Sequence, residues 1–196
     1  MTDRNRDNES LHGGAPRRAG IRRALLALAS LLALGACATP AYHPEPIARF
    51  DLARFAGTWH EIARFPNDFE DPRGHRCDDV VADYTPRPDG GLDMRHTCRD
   101  VLDDGAELVS TGRGYATVPG SAKLRVSFLW PFYTDLWIIG VDPDYRWVVI
   151  GSPSRRYLWY LSRTPTLSAD DLAQAQAYAK AQAFDVAKLK MTEQRP

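Results

Sequence analysis

A chain of 196 residues with 25 basic and 25 acidic side chains has no surplus charge. Six of the bases and three of the acids fall within the first 36 residues, leaving 19 against 22 in the 160 that follow. That slightly acidic remainder carries no Lys/Arg block, so the electrostatic footprint that holds a phosphate backbone is missing and composition argues against a nucleic-acid partner. A stretch of that length makes one domain, large enough to bury a core and, in a barrel, to enclose a cavity as well.

Arg17, Arg18, Arg22 and Arg23 precede an uncharged run from Ala24 to Leu34, the arrangement of a secretory signal peptide. Eleven residues rise only ~16 Å as a helix, about half of a bilayer core, so the run is a poor transmembrane span. Leu34-Gly35-Ala36-Cys37 follows and resembles the lipobox of bacterial lipoproteins, in which the cysteine thiol accepts a diacylglyceryl group. The expected layout is a signal peptide over 1–36, a lipidated Cys37 with a Pro-rich tether to residue 49, and a folded domain from 50 to 196. Several acyl chains on one residue anchor durably where a single chain does not. Ala38 stands where an Asp signals inner-membrane retention in enterobacterial lipoproteins, which implies the periplasmic face of the outer membrane. An ordinary signal peptide with a chance cysteine is the alternative, and the Arg pairs leave either export route open.

From residue 55 onward, short runs rich in aromatic and β-branched residues recur between Gly, Pro and Asp clusters, an all-β pattern. Eight runs are predicted, at 57–65, 78–85, 91–98, 106–117, 122–128, 135–141, 145–151 and 156–163. Turn residues separate them, among them Asp89-Gly90-Gly91, Asp103-Asp104-Gly105 and Asp142-Pro143-Asp144, and such short links imply antiparallel neighbours. In the fifth run Leu124, Val126 and Phe128 alternate with Lys123, Arg125 and Ser127, giving one dry face and one wet. The last three runs are apolar on both parities, so both of their faces must be covered.

The cover for the outer face lies downstream. Ser168 is a good N-cap, Asp170 and Asp171 suit the positive end of a helix dipole, and the Ala/Gln-rich stretch to Phe184 lacks Gly and Pro. Leu172, Ala175, Ala179 and Ala183 fall on one side of this helix, and Val186 to Met191 suits a short ninth strand. Eight antiparallel strands followed by one helix fit a closed up-and-down barrel with the helix packed outside, which removes the exposed edges of an open sheet. A β-sandwich of the same strand count is the competing topology.

The stretch from Phe50 to Phe65, with Gly57-Thr58-Trp59 at its centre, resembles the opening of the lipocalins. Asp142-Pro143-Asp144-Tyr145 is similar to the second motif of that family, and Leu158 to Pro165, which contains Arg163, to the third. The resemblance spans about residues 49 to 193 and is closest to the bacterial lipocalins and the apolipoprotein D group, including the segment Pro131-Phe132-Tyr133. The second motif departs from the family by opening on Asp142-Pro143. Gly57, Trp59, Asp144, Tyr145 and Arg163 are implied to be structural, with Trp59 plugging the narrow end of the barrel and the Arg163 guanidinium stacked over its indole.

If that end is closed, the rim of the open end collects residues 65–69, 128–133 and 157–159. Period-two alternation from Trp59 and Arg163 then turns Glu61, Ala63, Tyr157, Trp159 and Leu161 inward, beside Leu124, Val126 and Phe128. An apolar wall with Glu61, Tyr133 and Tyr157 as polar handles suits a fatty acid or lysophospholipid, acyl chain inside and head group at the rim. Glu61 must pair with a base or stay protonated, because a lone buried charge is costly.

Cys77 and Cys98 flank the hairpin turn near residues 88–89 and lie almost opposite one another. In an exported protein the expected product is a disulfide, with two separate thiols as the alternative. His75 and His96, each two residues before one of these cysteines, add a zinc site as a further possibility. The leading functional expectation is a membrane-anchored carrier without catalysis, cofactor or metal, and a homodimer is left open. The competing classes are a lipid-modifying enzyme using a free cavity thiol and a structural envelope lipoprotein with a filled barrel. Against an enzyme, the chain holds no Gly-x-Ser-x-Gly elbow, phosphate loop or convincing Ser/His/acid set.

Overall fold

The computed structural model describes residues 43–195, and the lipobox Cys37 with the signal segment lies outside the described residues. The elements are α1 (Leu52–Phe55), β1 (Gly57–Arg64), β2 (Cys77–Pro86), β3 (Gly91–Asp100), β4 (Ala106–Ala116), β5 (Lys123–Leu129), β6 (Phe132–Val141), β7 (Trp147–Gly151), β8 (Leu158–Ser162), α2 (Ala169–Ala181) and β9 (Lys190–Met191). Successive strands from β2 to β8 pair antiparallel, β8 pairs with β1, and β1 returns to β2, so the sheet closes on itself. This is the predicted eight-stranded up-and-down barrel with a helix outside, and the sandwich is set aside.

Closure is shared. β1 pairs with β2 over Gly57 to His60, whereas Ala63 and Arg64 pair with Met191 and Lys190 of β9. The Asp79 amide donates to the Glu193 carbonyl at 2.7 Å, tying the start of β2 to the C-terminal segment. A barrel whose first two strands diverge is thus sealed by the chain end.

The apolar-on-both-faces character of β6 to β8 has the anticipated cause. Ile138, Val148, Ile150 and Leu161 point inward to a cluster with Trp59, Leu92, Met94, Leu124 and Val126. Ile139, Trp147, Val149 and Tyr160 point outward beneath Ala175 and Ala179 of α2, whose small side chains let the helix lie close. The Ser168 side chain accepts from the Asp171 amide, as its N-cap position requires.

Three local features differ from the expected pattern. The helix α1 precedes β1, capped by Asp51, whose side chain accepts from the Ala53 and Arg54 amides. β7 starts at Trp147 because Asp142 folds residues 142–146 into a turn, its carboxylate accepting from the Asp144 and Arg146 amides. Residues 43–49, read as part of a free tether, lie against the barrel: Pro44 is buried and the Ile47 amide donates to the Ile138 carbonyl at 2.9 Å.

Candidate functional site

The closed end is built around Trp59. Its indole Nε1 donates to the Phe55 carbonyl at 2.7 Å, and Phe55 stacks on Tyr84 with ring centroids 4.7 Å apart. The Arg163 guanidinium lies 3.7 Å from the indole centroid and donates to the carbonyls of Arg54, Ala56 and Thr58 at 2.6–2.9 Å. One side chain therefore satisfies the C-terminal carbonyls of α1 and covers the indole. Gly57 sits at φ +94°, a conformation disfavoured for residues with a Cβ. In the second motif Tyr145 is buried, its hydroxyl accepting from the Asp51 amide at 2.9 Å. Asp144 is exposed, and the carboxylate that holds this turn belongs to Asp142.

Above the base the inner wall is apolar. Leu124, Val126 and Leu161 are buried there as expected, and Trp159 packs against the same cluster. Phe128, expected on the dry face, is instead 43% exposed, because a bulge after Val126 breaks the alternation; its ring lies over His96, with centroids 4.9 Å apart, and occupies the space a Gly112 side chain would need. Tyr157 stands at the rim, stacked on Trp159 and beside Phe69. Tyr133 does not join the wall: it meets Tyr115 and Arg125, because it alternates with the inward Thr134 that pairs with Val126.

Nearest the mouth the lining becomes ionic. Glu61 pairs with Leu161 and Ala63 with Tyr160, so Ile62 is an extra residue, a bulge that reverses the alternation. Ala63, expected inward, therefore lies in the outer cluster, and Arg64 opposite Trp159 takes its place inside. Arg64 is fully buried and reaches Glu61 at 2.5 Å, Asp71 at 2.7 Å and Glu70 at 3.4 Å. It also donates to the Cys77 carbonyl at 3.0 Å, while the Thr192 hydroxyl donates to Glu61. Glu70, from the β1–β2 loop, accepts from the Trp159 indole at 3.1 Å and from Asn67 at 2.7 Å, folding that loop toward the mouth.

Burial, reinforced by the Glu70 charge, pushes the Glu61 carboxyl above its ordinary pKa despite the opposing pull of Arg64. Burial works against the Arg64 charge, but Glu61, Glu70 and Asp71 outweigh it and hold its pKa high. Burial lowers the His96 pKa and keeps its ring neutral. The His96 Nε2 has no protein partner and stands among Tyr84 and Phe128 as a free polar handle.

Two hollows open to solvent. β4 pairs with β5 only from Arg113 to Ala116, and beside the end of that pairing is a cavity of about 490 Å³ lined mostly from the outer face of the sheet, by Asp83, Asp93, Arg95, Thr111, Arg113 and Tyr133 among others. A second, of about 280 Å³, lies between Pro66, Asn67, Asp71 and Tyr157 at the rim.

Cys77 and Cys98 form a disulfide, with Cα atoms 5.4 Å apart. This removes both thiols from the zinc alternative. His75 is instead paired with Asp100 at 2.5 Å, and among the described residues no group of three or more acidic, His or Cys side chains is placed to hold a metal. Sequence reading missed Arg64, Glu70 and His96 as lining groups. A basic residue three positions after a buried glutamate was the available signal.

A closed eight-stranded barrel plugged by a tryptophan–arginine pair, with an apolar interior and an outer helix, defines the lipocalins. The chain belongs to that family: the model for the lipocalin-like domain matches residues 50–194. It is 40% identical over 177 residues to the outer membrane lipoprotein Blc of Escherichia coli strain K12, covering 84% of this chain and 97% of that one. Temperature-induced lipocalin-1 of Arabidopsis thaliana is 35% identical, over 76% of this chain and 82% of its own. Among solved structures, lobster apocrustacyanin A1 superposes with a TM-score of 0.60 at 17% identity, covering 81% of this chain and 94% of that chain, a likeness of fold alone. Lipocalins bind hydrophobic ligands, and the close relatives are named as outer membrane lipoproteins.

Proposed function

We propose that this chain is a carrier, held at the periplasmic face of the outer membrane by an acylated Cys37, that lodges one lysophospholipid in its barrel without transforming it. The observation that carries the reading is the order of the inner wall: apolar at Leu124, Val126 and Ile150, then charged toward the mouth at Arg64 and Glu70, which Glu61 joins from beside Leu161. A single-chain amphiphile has the same order of parts.

Lysophospholipid is favoured over fatty acid by the electrostatics of that upper layer. Arg64 is engaged by Glu61 and Asp71, so an incoming carboxylate meets acidic groups around the cation that faces the lumen. An amine-bearing head group meets Glu70 and the faces of Tyr157 and Trp159, a setting that suits a cation. The Cys77–Cys98 disulfide speaks against the thiol-enzyme reading, since neither sulfur is a thiolate.

The test is titration of the purified mature protein with lysophosphatidylethanolamine and with palmitate, followed by recovery of the lipid. Tighter binding of the lysophospholipid by at least about tenfold, or ~1.4 kcal/mol, and its recovery intact are expected. Absence of lysophospholipid binding, or its conversion, overturns the proposal. Labelling with a palmitate analogue that is lost in Cys37→Ser tests the anchor separately.

A further inference from the structure

The two ends of the barrel differ in what they show to solvent. At the open end Phe69 of the β1–β2 loop, Leu102 of the β3–β4 loop, and Leu129, Trp130 and Phe132 at the β5–β6 tip are each between 60% and 80% exposed. At the closed end Val118 is the one large apolar side chain exposed to that degree among the described residues. The β5–β6 hairpin is also uncharged for the nine residues between Arg125 and Asp135. Apolar patches of this kind on a soluble surface mark an interaction site.

The path of the N-terminal segment points the same end in one direction. The His43 ring nitrogen bonds the Pro153 carbonyl, in the β7–β8 loop of the open end, and the chain then runs down the outside of the barrel. The Ile47 amide meets the Ile138 carbonyl, and the Phe50 amide meets the Gly120 carbonyl at the closed end. The described chain therefore begins beside the mouth, six residues after Cys37. Six residues extend at most ~22 Å, so an anchor at Cys37 keeps this end of the chain within that distance of the lipid.

From these two observations we infer that the open end docks on the lipid surface, with Leu129, Trp130 and Phe132 inserted at the interface and Phe69 and Leu102 beside them. The inference goes beyond the carrier reading and borrows from it only the anchor at Cys37. Aromatic residues favour the headgroup level of a bilayer. The rim mixes acids (Asp68, Asp103, Asp104) with bases (Arg73, Arg76, Arg156), so insertion is driven by apolar contact and tolerates salt. A mouth held against the leaflet gives a lipid a path from bilayer to lumen that avoids water.

Trp130 supplies the test, because it is the exposed one of five tryptophans. The full chain, matured in cells and purified, is mixed with phosphatidylcholine vesicles in which bromine is carried near the acyl carbonyls. Strong fluorescence quenching that survives high salt, and loss of that quenching in Trp130→Phe and in Leu129→Ser/Phe132→Ser, is the expected result. Equal quenching in wild type and Trp130→Phe overturns the inference. So does a dimer that shields Trp130 from lipid and dissolves in the Leu129→Ser/Phe132→Ser chain on sedimentation. Flotation of wild type against Cys37→Ser reports the anchor, and lysophospholipid titration reports the carrier, each independently of the quenching.

Discussion

Glu61 and Arg64 stand three residues apart in one strand, yet their side chains meet at 2.5 Å inside the barrel. Regular alternation would send them to opposite faces. The bulge at Ile62 brings both inward and turns a buried carboxylate from a liability into one member of a network with Glu70, Asp71 and Thr192.

The two partners differ in what their loss leaves behind. Removing Arg64 leaves Glu61 buried without a cation, although Glu70 keeps Trp159 and Asn67 and Asp71 keeps Lys190, so Arg64→Met costs about 3–5 kcal/mol, the range for breaking a buried pair from one side. Glu61→Gln leaves Arg64 paired with Asp71 and Glu70 and keeps an acceptor for Thr192, and its cost stays within about 1 kcal/mol. Urea unfolding of the two variants checks the asymmetry, and equal losses contradict it.

The raised pKa of Glu61 gives a pH dependence of definite sign. The folded protein holds this proton more tightly than the unfolded chain, whose carboxyl titrates near ~4.3, so the contribution falls as pH rises from there through the folded pKa. Asp100 acts in the opposite sense. Its carboxyl accepts from the Arg76 amide, the His75 ring and the Leu102 amide, which lower it to about 2, so its contribution is present above ~3.9 and is lost as pH falls from there through the folded value. His96, its pKa lowered by burial, contributes with the opposite sign to Glu61 as pH rises, so the check is the difference between proteins: relative to wild type, Glu61→Gln should lack the decline that Glu61 contributes with rising pH, while the acid limb set by Asp100 stays in place.

Arg163 links α1 to the start of β1 through carbonyls and an indole. Arg163→Ala should lower stability by roughly 2–4 kcal/mol from the lost charged hydrogen bonds and cation–π contact. Ligand affinity of the folded fraction should change little, since the residue is at the far end from the mouth. Unchanged melting with lost binding contradicts this role.

Much of the architecture was legible because local chemistry and global fold agree. The turn residues separate eight runs, the alternation in β5 gives its wet and dry faces as far as Val126, beyond which a bulge buries Ser127 and exposes Phe128, and the two-faced apolarity of β6 to β8 announces the covering helix. The site was less legible, and bulges are the reason. Periodicity extended through Ile62 puts Ala63 inside and Arg64 outside, the reverse of the structure. The assignment of Tyr133 to the wall rested on its place at the rim, whereas Thr134 pairs with the inward Val126 and leaves Tyr133 facing out. Glu70 comes from a loop, where no periodicity operates. The long contact between β1 and the C-terminal Thr192 lies beyond any local pattern.

The disulfide closes a loop with a sequence separation of 21 residues between β2 and β3. A crosslink over that length stabilises by about 3 kcal/mol in the chain-entropy picture. Cys77→Ala/Cys98→Ala should lose a comparable amount in denaturant, and no loss would contradict a structural role for the bond.

The proposed carrier role requires that an acyl chain lie inside the barrel. A lysophosphatidylethanolamine carrying a photoreactive group at the end of its chain, bound, irradiated and mapped by mass spectrometry, tests it most directly. Adducts on inward residues such as Leu124, Val126, Leu161 and Trp159 are expected. Adducts confined to the outer face beneath α2 or to the exposed rim, with none on the inner wall, would contradict it.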